Sequence, residues 1–190
     1  MNLVIGKNSF LSKIFDNWDN TVLISYKDID NIELSKFSSL YLLSFPNEYH
    51  KKSEKDFEFE KNIFKKFLKK RIFYFSTSKV YRNKINCNES DPTEPQGYYG
   101  ENKYKIENII TQFTEKFLIY RVSNVFTKTD FSRNTFFDKV IRNIEDKNII
   151  NFDINEKSLK DFISINSLRS IISQMNITDE SGIFNIGSEI

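Results

Sequence analysis

An α/β fold built on a parallel sheet is what this sequence predicts, and three observations predict it. Short apolar runs recur along the chain. Amphipathic segments of helical period separate several of them. The 39% hydrophobic and 15% aromatic content of 190 residues suffices for one sizeable buried core. Strands that alternate with helices imply parallel pairing and right-handed crossovers. No internal repeat or low-complexity linker interrupts the pattern.

The runs NLVI (2–5), TVLIS (21–25), LYLLSF (40–45), RIFYFS (71–76) and KFLIYRV (116–122) each read as a buried strand. Their near-continuous apolar character is what a strand covered on both faces requires. Between the third and fourth runs, Ile63, Phe64, Phe67 and Leu68 recur at helical spacing in a segment near 54–70. The lysines of KNIFKKFLKKR (61–71) then form the solvated side of an amphipathic helix rather than a nucleic-acid patch. A second helix is expected near 98–115, ending YKIENIITQFTEK, and SINSLRSIISQM reads as a further amphipathic helix.

Charge and rare residues narrow the function classes. The 28 basic and 26 acidic residues are interspersed and leave a formal charge of +2, so nucleic acid is not an expected partner. Cys87 is the single cysteine and His50 the single histidine. An internal disulfide, a cysteine cluster and a multi-histidine metal site are therefore not expected, and His50, in the polar run NEYHKKSEK, reads as a surface residue. The start MNLVIGKNSFLSKIF is broken by Lys7, and no stretch approaches the roughly eighteen apolar residues of a membrane helix. A reducing, cytoplasmic setting without membrane insertion is expected.

Two stretches carry chemistry. After the first run comes GKNSFLS (6–12), where a nucleotide-binding α/β protein places a glycine-rich turn against a pyrophosphate. Only Gly6 is a glycine, and Ser9 and Ser12 stand where further glycines would fall. The same residues could equally be a helix cap, with Asn8 or Ser9 preceding an apolar helix, so two readings stay open. The second stretch is YYGENK (98–103), which puts Tyr99 and Lys103 on one helix face. A phenol has a pKa of about 10, and a nearby ammonium would favour the phenolate. Such a spacing is common by chance in a lysine-rich chain and needs a setting.

FSTSKVY (75–81), directly after the fourth run, supplies it. Together with Gly6, Thr77, Tyr99 and Lys103, and with YRVSNVF (120–126), KDFISI (160–165) and GIFNIGS (182–188) in order, the chain resembles an extended short-chain dehydrogenase/reductase. More narrowly, it is similar to the NAD-dependent epimerase/dehydratase branch that modifies nucleotide sugars. The resemblance implies a Rossmann-like parallel sheet with helices on both faces and NAD or NADP as cofactor. It implies that Tyr99 moves a proton to or from a sugar hydroxyl, that Lys103 supports it and bonds the nicotinamide ribose, and that Thr77 bonds the reacting oxygen. It places Gly6, Ser9, Phe10, Leu11, Lys27 and Ser44 against the cofactor, and Ser78 and Asn124 against a nucleotide-sugar substrate. Asp161 is expected to be structural.

Departures from the pattern shape the remaining expectations. Residues 26–39 are too few for the usual helix, strand and helix, so the sheet is expected to be shortened by its third strand. The site that distinguishes NAD from NADP reads YKDID, with Lys27 beside Asp28, and leaves the choice open. The chain stops at GSEI, which implies either a fragment or a small pocket: a core over 1–126 and a truncated C-terminal substrate lobe over 127–190 packed on it. Ser78 and Lys79 replace the Asp-Glu pair of dehydratases, which favours a 4-epimerase or 4-ketoreductase in surface-polysaccharide precursor synthesis. A catalytically degenerate member that binds dinucleotide or a partner protein is the alternative, and a homodimer is compatible with either.

Overall fold

Successive residues of the first strand face opposite ways and enter two different cores, which is how the sheet comes to be covered on both sides. In the computed structural model, residues 1–43, 45–82, 86–128, 130–131, 133, 135–146, 149 and 159–188 are described. Six strands, β1 (Asn2–Ile5), β2 (Thr21–Ile24), β3 (Ser39–Leu42), β4 (Arg71–Thr77), β5 (Phe117–Val122) and β8 (Gly182–Ile186), form one sheet. Its order is β2-β1-β3-β4-β5-β8. Every pairing in it is parallel. Two three-residue strands, β6 (Asn124–Phe126) and β7 (Phe162–Ser164), make a separate parallel pair.

Leu3 and Ile5 pack with Leu40, Leu42, Ile72 and Ile119 beneath α1 (Glu58–Lys66) and α2 (Gly97–Phe113), through Ile63, Phe64, Ile106 and Ile110. Val4, Tyr41, Phe73 and Tyr120 face the other way. They meet Ile14 and Phe15 of a 3-10 helix, Phe10–Phe15, and Leu168 and Ile172 of α4 (Ile165–Asn176). α3 (Phe136–Glu145) follows the β6 region. A parallel sheet with helices on both faces is thus the observed architecture, as the alternation of apolar runs and helical segments predicts.

The shortening falls where the sequence places it. β1 pairs directly with β3, Leu3 opposite Leu40, as well as with β2. Residues 26–38 hold only two 3-10 stretches, Tyr26–Asn31 and Leu34–Lys36. Among the described residues no strand lies outside β2, which is an edge of the sheet.

The stretch from 127 onward contributes more to the core than a peripheral lobe would. β8 extends the main sheet by pairing with β5, Ile119 opposite Ile183, and α4 covers one of its faces. No strand is read from periodicity at Gly182–Ile186, because four of its five residues remain partly accessible. No helix among the described residues is long and apolar enough to cross a membrane.

Candidate active site

A cavity of about 800 Å³ opens at the carboxyl ends of the central strands. This is where open parallel sheets bind ligands, because the crossovers leave a crevice there. Of the residues expected to act, Gly6, Ser9, Phe10, Leu11, Lys27, Thr77, Tyr99, Lys103 and Asn124 line it. Ser44 lies outside the described residues.

The turn after β1 realises both readings of GKNSFLS. Gly6 has φ 124°, a conformation that a side chain would strain, and the N–H groups of Gly6 and Lys7 both donate to Ile24 O at 2.9 Å. Ser9 has an ordinary φ of −75° and caps the 3-10 helix, its Oγ accepting from Leu11 N at 3.3 Å. The same serine lines the cavity. The cap and the cavity-lining turn are one structure.

At the end of β4, Thr77 Oγ1 accepts from Lys79 N at 3.3 Å and starts a 3-10 turn, Ser78–Val80. That turn leaves Ser78 exposed and outside the cavity wall while Lys79 enters it. Ser78, expected against the substrate, does not line the cavity, and Lys79 beside it does. α2 approaches this turn closely because residue 100 is glycine. A Cβ there would meet Lys79 O at 2.6 Å. The close approach brings Tyr99 into the wall of the cavity that Thr77 also lines.

Lys103 stands one turn after Tyr99 and is buried. Its Nζ donates to Phe75 O at 2.6 Å and lies 4.6 Å from the Phe45 ring centre, 4.8 Å from that of Tyr74 and 6.0 Å from that of Tyr99. Burial pulls the amine down to about 7, and Glu107 and Glu60 return part of the loss. Burial also pushes the Tyr99 phenol above its ordinary value, with the Thr77 hydroxyl opposing. Desolvation inside a ring-lined pocket costs the charged forms more than the neighbours restore.

His50 is exposed, as a surface histidine should be, yet it also lines the cavity. Its ring stacks on Tyr99 with centres 4.9 Å apart and planes 18° apart. Desolvation first, then Lys103 and Lys79, hold it below its ordinary pKa. Asn102 fixes the loop that carries it. Its Oδ1 accepts from Glu54 N at 2.9 Å, and its Nδ2 donates to Tyr49 O and Lys52 O, each at 2.8 Å.

A buried ionic network braces the site from behind. Arg121 of β5 and Glu107 of α2 form an ion pair at 2.7 Å, with Arg121 Nε also donating to both carboxylate oxygens at 3.3 and 3.2 Å. Arg121 Nη1 donates to the Tyr81 hydroxyl at 2.6 Å, which in turn donates to Asn185 Oδ1 of β8 at 2.9 Å. Ser76 of β4 donates to Glu107 as well. Every charge in it has partners, as a buried pair needs. An arginine inside the apolar run FLIYRV and a glutamate four residues after Lys103 were the available signals.

Arg133 gave no such signal. Its guanidinium lies 3.4 Å over the Phe10 ring, donates to Val125 O at 3.1 Å and pairs with the buried Asp138 at 3.2 Å. Asn124 spends its side-chain amide on Asp161 O at 2.9 Å, so it braces the β6–β7 junction while lining the cavity. Asp161 accepts from both the N–H and the hydroxyl of Ser188, at 3.1 and 2.7 Å, consistent with a structural role. Lys27, Lys79, Lys103 and Arg133 stand among the lining residues, and no Asp or Glu stands among the described ones.

The RmlD substrate binding domain family matches residues 65–154. No curated protein matches the chain in sequence. Solved structures match over nearly all of it. A UDP-N-acetylglucosamine 4-epimerase from Bacillus cereus aligns with a TM-score of 0.76 at 18% identity, covering 99% of this chain and 75% of that one. A dTDP-4-dehydrorhamnose reductase from Clostridium acetobutylicum aligns with a TM-score of 0.79 at 17% identity, covering 100% and 75%. The dTDP-4-dehydrorhamnose reductase from Bacillus anthracis, in complex with NADP, aligns with a TM-score of 0.78 at 15% identity, covering 99% and 74%. The chain therefore has the Rossmann-like α/β fold of these epimerases and reductases, shortened at its third strand.

Proposed function

We propose that the chain is an NAD(P)-dependent 4-epimerase or 4-ketoreductase of a nucleotide-activated sugar, serving surface-polysaccharide precursor synthesis in the cytoplasm. One observation carries the proposal. Thr77, Tyr99 and Lys103, from two different elements, line one cavity at the carboxyl ends of parallel strands. The RmlD-domain match and the likeness to nucleotide-sugar epimerases and reductases support the same reading.

The residues present fit a dinucleotide. The cavity is large enough for one, begins at the positive-φ turn of Gly6 and is lined by cations without carboxylates. Gly6, Ser9, Phe10 and Leu11 would hold the pyrophosphate, Lys27 the adenosine end and Lys103 the nicotinamide ribose. When bound, the nicotinamide supplies the hydride acceptor and donor.

Tyr99 handles the proton. Its phenol, raised by burial, is protonated at neutral pH and is poised to donate to a carbonyl oxygen as that oxygen becomes a hydroxyl. In the opposite direction the phenol oxygen must first lose its proton, and the adjacent amine, near neutrality in its own titration, can share it. Thr77, on the same cavity wall, is placed to bond the reacting oxygen beside the phenol. β6, β7 and the start of α3 form the substrate side of this reading, and Arg133, Lys79 and Asn124 would face the sugar nucleotide. Nucleic acid has no part in it, and a homodimer, checked by light scattering, completes it.

The test is mass spectrometry of UDP- and dTDP-sugars incubated with the chain and NAD(H) or NADP(H). An epimerised or reduced sugar is expected. Tyr99→Phe should lower its formation by about 10²- to 10⁴-fold with cofactor affinity nearly level, while Tyr98→Phe, an exposed neighbour, should not. Binding without turnover would select the degenerate reading instead.

A further inference from the structure

We propose that His50 is a positioning residue: its imidazole, stacked on the Tyr99 ring, sets the angle at which the phenol meets the reacting oxygen, an inference that rests on the role of Tyr99 given above. Tyr99 is the third residue of α2, in a first turn that no side chain caps, and Gly97 opens that turn at φ 64°. A backbone bond from Gln96 N to Lys79 O at 3.1 Å anchors the turn. The direction of the ring is left to the side chains around it.

Phe45 meets that ring at a tilt of 47°, with 5.7 Å between centres, and the ammonium groups of Lys79 and Lys103 stand 5.5 and 6.0 Å from its centre. His50 lies closer and flatter, at 4.9 Å and 18°. Such a stack contributes beyond the area it buries and resists rotation of either ring out of the pair. The fold commits a buried amide to keeping it. His50 ends the 3-10 helix Asn47–His50, and the fully buried Asn102, three residues after Tyr99 on α2, grips the backbone on both sides of it through Tyr49 O and Lys52 O. The Tyr49 hydroxyl donates to Glu60 of α1 at 3.0 Å and ties the same loop from beneath. One helix thus carries the phenol and holds the loop that carries the imidazole.

The stack requires a neutral imidazole. Desolvation disfavours the imidazolium first, then Lys103 from α2 and Lys79 from the turn after β4. Its own loop adds Glu48, Lys51 and Lys52, all exposed. Protonation of His50 would set a third cation against the Tyr99 ring beside the two lysines, so acid should open the stack and release the phenol from its angle.

Steady-state kinetics across pH, on the sugar that the mass-spectrometric screen identifies, tests this. His50→Ala should lower kcat about tenfold with KM for the dinucleotide and the unfolding temperature nearly level, whereas His50→Phe, which keeps a flat ring, should restore most of kcat. Wild-type kcat should fall in acid with an inflection below the ordinary imidazole value of 6.5, and His50→Phe should lack that limb. Full activity of His50→Ala, or equal damage in His50→Phe and His50→Ala, would overturn the inference. Nuclear magnetic resonance of the chain with ring-labelled tyrosine reads the contact without turnover. The Tyr99 signal, assigned by its loss in Tyr99→Phe, should shift in His50→Ala and follow the imidazole titration in wild type. A Tyr99 signal indifferent to both would overturn the inference, whereas a responsive signal in a chain that converts no sugar would overturn the proposed function and leave the stack standing.

Discussion

Lys103 couples the chemistry of the site to its stability, because its amine is held near 7 by burial while the same amine in an unfolded chain titrates near 10.5. Between these values the unfolded chain binds more protons than the folded one, so this residue makes stability rise with pH from about 7 upward. The slope is at most about 1.4 kcal/mol per pH unit, which gives roughly 2–3 kcal/mol between pH 7 and 9. Above about 10, ionisation of tyrosines in the unfolded chain works in the opposite sense, since burial raises several of them in the fold. Urea unfolding of wild type and Lys103→Met at pH 7, 8 and 9 checks this. The stability difference between the two should shift in favour of wild type as pH rises, and a constant difference would show that Lys103 is already charged in the fold. Tyr99 and Lys103 could be read from the sequence because one helical turn relates them and a strand end supplies Thr77. Asn102 could not, since its three partners belong to a loop about fifty residues earlier whose backbone course no local pattern fixes.

At the scale of elements, the distance between α2 and the turn after β4 sets how Thr77 and Tyr99 stand in the shared cavity wall. Gly100→Ala would place a methyl 2.6 Å from a backbone oxygen, so α2 must shift. Turnover should fall at least tenfold and stability by about 1–3 kcal/mol, a range typical of overpacking. Circular dichroism would show the helix retained. Behind α2, Glu107→Ala leaves the Arg121 guanidinium buried without its carboxylate. The expected loss is about 3–5 kcal/mol in denaturant unfolding, and the double change Glu107→Ala, Arg121→Met should recover part of it. If the single change costs under about 1 kcal/mol, the network is not a brace. Five of the six strands of the main sheet, β1 to β5, were legible because they are continuous apolar runs. β6 and β7 were not, at three residues each, and the first crossover was ambiguous because a serine cap and a ligand turn use the same residue types.

For the whole molecule, the length of one connection was enough to predict that a strand is missing, since residues 26–39 cannot hold a strand and two helices. The sequence did not reveal that the last described strand would complete the sheet, because its partner β5 lies about sixty residues earlier and its own residues stay partly accessible. Nor did it reveal Arg133, which reaches the cavity only through contacts with Phe10, Val125 and Asp138. The missing strand has a further consequence for motion. β2 has a single hydrogen-bonded neighbour, so every second amide along it points away from β1. In deuterated buffer those outward amides should exchange through small local openings, within minutes. The amides of β1 and β3, held between neighbours on both sides, should exchange only when the whole domain unfolds. Residue-resolved exchange that found β2 as protected as β1 would mean that something else covers this edge in solution.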